Sequence, residues 1–391
     1  MNSQRVILKP GKEKAIRNRH HWIFSGAIQS IPNTFEKGSF LPVYTASGEF
    51  LGSGYFNQQS GIRGRMVAFD DTEPLVAIQK RLESALAFRK QYFDSSITNA
   101  YRLINGDGDG IPGLTVDVYD QVLVMQSATA GIDRIKSWLV DWFMQNMPLK
   151  SIYEKSLMSS RKEEGLKEQE GFLQGIKESQ IIFKENNIIF KADLEKSQKT
   201  GFFLDHREMR LWIKELAKNK RVLNAFSYTG GFSLYALAGG ASQVDSIDIS
   251  KDAIDSINNH IALNGLDGQR HTGICQDVFQ FLREYELNYN LVILDPPAFV
   301  KKQKDLVAGC RGYKDINRLA IKKMPSRSLL LTCSCSHYID EALFQKIIFQ
   351  SALEAKKEVR IIGTHRLAAD HPINIFHPET NYLKSLLIYV E

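Results

Sequence analysis

Apolar and polar positions change rhythm twice along this chain of 391 residues. Up to about residue 72, short apolar runs at 6–9, 41–44, 50–56 and 62–69 are punctuated by glycines. Short strands broken by turn residues predict a small β-barrel-like module. Between 72 and 93 the apolar positions 75, 78, 82, 86 and 93 fall at helical spacing. Residues 101–120 place a Gly/Asp-rich turn between two apolar strands, 121–127 continue that sheet, and 132–147 read as an amphipathic helix. In that helix Ile135, Trp138, Leu139 and Trp142 share the core face. The charged stretch 161–170 has no apolar face and reads as a solvated loop. Asn186 and Asn187 divide 181–190 into a hairpin. Beyond about 200, strand and helix alternate regularly, with 359–367 and 383–390 as a closing pair. Such alternation predicts a doubly wound, largely parallel sheet with ligands at its carboxyl ends. The expected organisation is an N-terminal β-rich domain at 1–72, a central α/β domain at 73–195 and a C-terminal Rossmann-like α/β domain at 196–391.

Composition narrows the class without choosing the activity. Hydrophobic residues at 43% and charged residues at 24% are those of a soluble globular protein. A net charge of +6 permits a polyanionic partner but does not require one. Four cysteines, at 275, 310, 333 and 335, are too few for a disulfide framework and imply a reducing, cytoplasmic setting. Neither a signal-peptide h-region nor a run of about 18 apolar residues is found, so secretion and membrane spanning are not expected. Cys333 and Cys335 form a C-x-C without a second pair at zinc spacing, and G-D-G-D-G at 106–110 lacks the ligand array of a calcium loop. No metal is expected, and Asp107 and Asp109 read as turn residues.

Three strand ends carry chemistry. The first is Asn224-Ala-Phe-Ser-Tyr-Thr-Gly-Gly231, followed by Asp248 at the end of the next strand and Asp277 after the third. Glycines there let a ligand approach a helix N-terminus, and Asp248 can accept ribose hydroxyls. The pattern is not G-x-G-x-x-G, which disfavours a pyrophosphate-bearing dinucleotide. A nucleoside-type cofactor fits better, pointing to S-adenosylmethionine, with Asp277 opposite an adenine amino group. Taken singly, either acid also reads as a helix N-cap.

The second strand end is Asp295-Pro-Pro-Ala-Phe299, where the prolines hold the carboxylate in a rigid, nonhelical loop. The carboxylate can hydrogen-bond a planar heterocycle, which leaves exocyclic amino groups and ring carbons both open as methyl acceptors. The third is Thr332-Cys-Ser-Cys-Ser336. Carbon 5 of a pyrimidine needs a thiolate at carbon 6 before it can take a methyl group, and a base must later remove its proton. A buried structural cysteine is the alternative for each thiol. In an extended strand 333 and 335 face the same way, so periodicity does not separate them.

With these motifs in hand the chain resembles the ribosomal RNA large subunit methyltransferase I family. The resemblance rests on HHWIFSGAI at 20–28, DGIPGLTVDVY at 109–119, QKTGFFLDHRE at 198–208, SYTGGFSL at 227–234, LDPPAFVKKQKDL at 294–306, CRGYKDINRLAI at 310–321 and SCS at 334–336. It implies a PUA-like RNA-binding domain, a central α/β domain and a class I methyltransferase domain making 5-methylcytosine in 23S rRNA. The S-adenosylmethionine site implied is Phe202, Asp205, Phe226, Tyr228, Thr229, Gly230, Gly231, Asp248, Ile249, Asp277, Asp295 and Pro296. Cys335, the cysteine of S-C-S, is implied as nucleophile and Asp295 as the acid at N3, with Cys333 an additional thiol. Asn224 stands where N-A-F-S-Y departs from the commoner D-L-F-x-Y.

Basic residues interleaved with aromatics suit phosphate contacts and base stacking. Lys9, Arg19 and Arg63 lie near His20, His21, Trp22 and Phe24 in the N-terminal module, and Lys301, Lys302, Arg311 and Lys314 follow the D-P-P motif. Core aromatics and solvated cations are the alternative reading of the same residues. An amino-group methyltransferase needing no thiol and a nonenzymatic RNA-binding protein are the competing functions. A homodimer is left open, and neither DNA nor a membrane is an expected partner.

Overall fold

A computed structural model describes residues 4–391, which separate into two compact units. The first comprises residues up to 187 with Lys191–Leu204 and Ala369–Thr380; the second comprises Ile188–Phe190, Asp205–Ala368 and Asn381–Glu391.

The first unit is built on two sheets. Strands Val6–Leu8, Trp22–Phe24, Ile28–Ser30, Phe40–Tyr44, Phe50–Phe56 and Ile62–Ala68 form a six-stranded sheet around Val6, Leu8, Ile23, Leu41, Val43 and Phe56. The five-stranded sheet runs from Ala100–Asn105 to Gln169–Gly175. Helix Pro74–Tyr92 covers it with Ile78, Leu82 and Leu86, the positions that the helical spacing selects. The helix expected at 132–147 is two, Ala130–Arg134 and Lys136–Asn146, because Ile135 leaves the helical conformation at φ −101° and ψ 9°. Ile135, Leu139 and Trp142 are nonetheless buried, and Trp138 packs at the core's margin. Asn186 and Asn187, at φ 51° and 64°, make the two-residue turn of the expected hairpin.

One expectation holds only in part. Most of the stretch 161–170 is exposed, but Arg161 is 1% exposed, donates to Asp133 through two nitrogens at 2.9 Å, and donates to the Ser127 carbonyl at 2.6 Å. Residues from Gln169 onward add an antiparallel strand to Ser151–Ser156. A charge that is paired and fully bonded can be buried, so the absence of an apolar face did not mean exposure.

The second unit is one seven-stranded sheet, here numbered β1 Arg221–Ala225, β2 Gln243–Asp248, β3 His271–Cys275, β4 Leu291–Leu294, β5 Ser328–Ser334, β6 Val359–His365 and β7 Lys384–Val390. Its spatial order is β3-β2-β1-β4-β5-β7-β6. The first five strands are mutually parallel, and β7 inserts antiparallel between β5 and β6. Helices α1 Arg207–Leu216, α2 Gly231–Ala238 and α3 Lys251–Leu263 neighbour one another, as do α4 Val278–Glu284, α5 Leu306–Lys323 and α6 Glu341–Ala355. Strand order reverses between β1 and β4, so the ends of β1, β2, β4 and β5 open beside one crevice, where ligands bind in such sheets.

Candidate active site

At the end of β1 the chain turns through two residues with positive φ, Phe226 at 61° and Tyr228 at 46°. Each costs roughly 1–2 kcal/mol for a residue with a side chain, and such strain persists only where the surroundings over-determine it. Asp248 does much of this, accepting from the Tyr228 N–H and the Ser250 N–H at 2.9 Å each. His260 of α3 braces the same loop, with Nδ1 3.0 Å from the Thr229 carbonyl. Gly230 follows at φ 84°, and a Cβ there would stand 2.8 Å from the Ile257 side chain. The result is a strained glycine floor leading into Gly231 at the N-terminus of α2.

Each Asp248 oxygen keeps a further lone pair for a ligand hydroxyl. Ile249, next along, is 74% exposed and offers an unused apolar face. Asp277 is the N-cap of α4, accepting from the Gln280 N–H at 2.9 Å through Oδ1, and its exposed side chain retains Oδ2. For α3 the cap is Ser250 rather than Asp248. The N-cap alternative therefore describes Asp277 and does not describe Asp248. Asn224 sits below this floor, 1% exposed, with Nδ2 donating to Ser233 Oγ at 2.8 Å. From there a buried polar chain passes through Ser246 to His271. Asn224 thus anchors β1 to α2 and β2.

The ends of β4 and β5 assemble the second half. Asp295 follows β4 directly, and its Oδ2 lies 3.4 Å from Nε2 of His206, which is 4% exposed. Pro296, next in sequence, is buried. Asp205, 3% exposed, accepts from the Tyr382 hydroxyl at 2.7 Å. The two cysteines differ sharply. Cys333 lies within β5 opposite Ser385 of β7 and is fully buried; burial, then the Asp295 carboxylate, push its thiol well above the ordinary range. Cys335 is partly exposed. Because β5 ends at Ser334, the alternation that would give the two thiols one environment stops between them.

Ser336 ties the loops together: its Oγ lies 3.0 Å from the Tyr313 hydroxyl and accepts from the Val300 N–H at 3.2 Å. Lys384 of β7 is 4% exposed, and its Nζ donates to the Ser336 and Tyr382 carbonyls at 2.8 Å each. Burial pulls this ammonium down to about 8, with the Cys335 thiol acting in the opposite direction. Phe299, the aromatic after D-P-P, packs against Tyr313 at 4.6 Å and Phe279 at 5.8 Å.

Sequence reasoning missed His206 and Lys384. The signals were a histidine directly after Asp205 and a lone cation in the apolar run 383–390. The remaining candidates are dispersed. Phe202 belongs to the first unit, where its N–H donates to the Tyr119 hydroxyl at 3.1 Å and its ring packs on Phe183. Lys9 donates to the Gly26 carbonyl, Arg63 is half-buried, and Arg19 is exposed. Lys301, Lys302 and Arg311 are exposed, whereas Lys314 is ion-paired with Glu354 at 2.6 Å. Trp22 is half-buried and donates to Asp107 at 3.0 Å; Phe24 is 51% exposed. Asp109 pairs with Arg89 and Asp107 with Trp22 and His377, as turn residues.

Residues 171–356 match the family model of S-adenosylmethionine-dependent methyltransferases, and residues 6–69 match that of a PUA-like domain. Over 393 residues the chain is 42% identical to ribosomal RNA large subunit methyltransferase I of Alteromonas mediterranea, covering 99% of each protein. The chain belongs to the ribosomal RNA large subunit methyltransferase I family. The Escherichia coli O139:H28 member is 37% identical, with 98% of each chain covered. A proposed SAM-dependent methyltransferase from Streptococcus mutans superposes with a TM-score of 0.83 at 26% identity over 98% of this chain and 99% of its own. Another proposed methyltransferase, complexed with SAH, gives 0.84 at 25% identity with the same coverage.

The cofactor of this family is S-adenosylmethionine, and the residues present fit it. Gly230 leaves room that a Cβ would fill, Asp248 offers acceptors for a ribose, and Ile249 exposes an apolar face beside it.

Proposed function

We propose that this protein methylates carbon 5 of a cytosine in large-subunit (23S) ribosomal RNA, with Cys335 as nucleophile and Asp295 as the acid at N3. The single observation that carries this is the contrast between the thiols: Cys335 is partly exposed beside a buried lysine, whereas Cys333 is sealed in β5. When bound, S-adenosylmethionine supplies an electrophilic methyl group.

In this reading the Cys335 thiolate adds to C6 of the base, and the C5–C6 electron pair shifts toward C5 while Asp295, in its protonated form, gives its proton to N3. C5, now enamine-like, accepts the methyl group. Removal of the C5 proton by a base then restores the double bond and expels the sulfur as a thiolate, and N3 returns its proton to Asp295. Lys384 favours the sulfur as an anion at the first and last steps, and His206 holds the Asp295 carboxylate. Phe279 and Tyr313 already occupy Phe299, which disfavours its use as a stacking platform for an amino-group acceptor.

The proposed division of labour follows the sequence boundaries, with a PUA-like domain at 1–72 and a central domain at 73–195 holding RNA and residues 196–391 performing transfer. Among the described residues no helix is long and apolar enough to cross a membrane, and the four free thiols suit a cytoplasmic enzyme. The test is nucleoside mass spectrometry of a large-subunit rRNA transcript incubated with S-adenosylmethionine and each cysteine variant. Cys335→Ala should form no 5-methylcytosine while still binding cofactor; Cys333→Ala should form it. Retention in Cys335→Ala ends the assignment, and a methylated amino group in both variants indicates the thiol-independent chemistry.

A further inference from the structure

Within the first unit lies a second concave site, apart from every motif that the methyl-transfer reading uses. A cavity of about 420 Å³ opens between helix Pro74–Tyr92, the 106–110 turn and the returning segment Ala369–Thr380. That volume is in the range of small-ligand sites. Its walls carry Arg19, Arg81 and Arg89, together with Phe88 and Phe376.

The charges in it are unevenly compensated. Arg89 is spent, bound by Asp109 at 2.6 and 2.8 Å and donating to the Asp370 carbonyl. Asp109 is the one carboxylate in the wall, and it is neutralised by that same pair. His21 is held neutral, since burial pulls it down to about 4. Arg81 and Arg19 are left facing the space. The Arg81 Nη1 is buried and has no hydrogen-bond partner, which a guanidinium normally does not tolerate. Burial pulls Arg81 down to about 10, with Asp70 acting upward and Arg19 downward. Asp70 is itself exposed and takes the Thr72 N–H at 3.0 Å. Gly110, at φ 73°, lets its turn pass so close that a Cβ would stand 3.1 Å from Arg81 Nε.

Beside these cations two aromatic rings stay open to solvent, Phe88 at 38% and Phe376 at 50%. A guanidinium with an unpartnered nitrogen and exposed rings around one hollow match the two halves of a nucleotide, phosphate and base. We propose that this cavity binds one nucleotide of the RNA substrate, its phosphate on Arg81 and Arg19 and its base against Phe376 or Phe88. The site serves as a docking point on RNA distinct from the methylated base, and it rests on the RNA reading above.

The experiment measures binding of a fluorescein-labelled single-stranded RNA of about 20 nucleotides by anisotropy across a salt series, with S-adenosylmethionine binding as control for folding. Arg81→Met removes a cation that holds no bond through Nη1, so the melting temperature should stand. Its RNA affinity should fall about tenfold, and the salt slope should shrink by about one. Phe376→Ala should lower affinity several-fold with an unchanged slope, because stacking releases no counterions. Wild-type affinity and slope in Arg81→Met overturn the docking site while leaving the methyltransferase reading intact; failure of the wild-type protein to bind RNA overturns both. Calorimetric binding of cytidine monophosphate that is lost in Arg81→Met, with RNA affinity unchanged, would make a free nucleotide the ligand and overturn the RNA source.

Discussion

Lys384 reaches across from β7 to donate to the carbonyl of Ser336, the residue after Cys335, at 2.8 Å. Strand pairing enforces this, since Ser334 and Lys384 are partners in the antiparallel register. A buried cation beside a thiol favours the thiolate. Lys384→Met should therefore shift the acidic limb of the kcat/KM profile upward by about one pH unit, with a smaller effect on KM. An unchanged profile would reduce Lys384 to a structural role.

The same lysine makes a second measurable contribution. Its folded-state value is about 8 against 10.5 for the free group, so between those values the unfolded chain holds a proton that the native one has released. Stability therefore rises with pH across that window, and the charged, buried form is the costlier one below it. The difference in urea midpoint between the wild type and Lys384→Met should move in the wild type's favour from pH 8 to 10. A difference constant with pH would show that Lys384 does not titrate in this range.

Thiol accessibility separates the cysteines without any substrate. Iodoacetamide at pH 8 should label Cys275 and Cys335 in the native protein and spare Cys333, which is 0% exposed with its thiol pushed up. Peptide mapping after unfolding in urea should show Cys333 labelled as well. Early labelling of Cys333 would reverse the assignment of the nucleophile.

Arg161 and Asp133 form the buried pair that the charge pattern hid. Burial tends to raise the Asp133 carboxyl, but the Arg161 and Ser127 hydrogen bonds prevail and hold it below its usual range. Stability from this group is present above the unfolded carboxyl's range and is lost as pH falls through the lower folded value. Asp133→Ala strands a fully buried guanidinium, at a cost of about 3–5 kcal/mol. Denaturant unfolding at pH 7 should register that loss, and a change under about 1 kcal/mol would mean that Arg161 relaxes to solvent.

The inner parallel strands were legible because they are buried on both faces and read as apolar runs ending in chemistry, as Leu291–Leu294 does before Asp295. Gly230-Gly231 with Asp248 was legible for a related reason: each residue type answers a local backbone or acceptor requirement. The partners of these residues were not. His206 meets Asp295 from 89 positions upstream, and Lys384 meets Ser336 from 48 positions downstream; such pairings depend on strand order, which local periodicity does not encode. The choice between Cys333 and Cys335 turned on where β5 stops, and element ends are set by tertiary contacts such as the Ser336–Tyr313 bond.

Gly230 gives a test of the proposed cofactor floor that separates backbone strain from packing. Alanine at 230 meets two obstacles: φ of 84° disfavours any Cβ, and that Cβ would fall 2.8 Å from the Ile257 side chain. The first costs roughly 1–2 kcal/mol, and the second forces α3 and the loop apart unless Ile257 yields. Because Asp248 is bonded to the same loop through Tyr228, displacement there also moves the carboxylate proposed to accept the ribose. Gly230→Ala should therefore weaken S-adenosylmethionine binding by at least tenfold in calorimetry, more than it lowers the melting temperature would suggest. Adding Ile257→Ala relieves the clash but leaves the φ penalty, so the double variant should recover affinity only in part. Full recovery would assign the glycine to packing alone, and wild-type affinity in Gly230→Ala would remove this loop from the cofactor site.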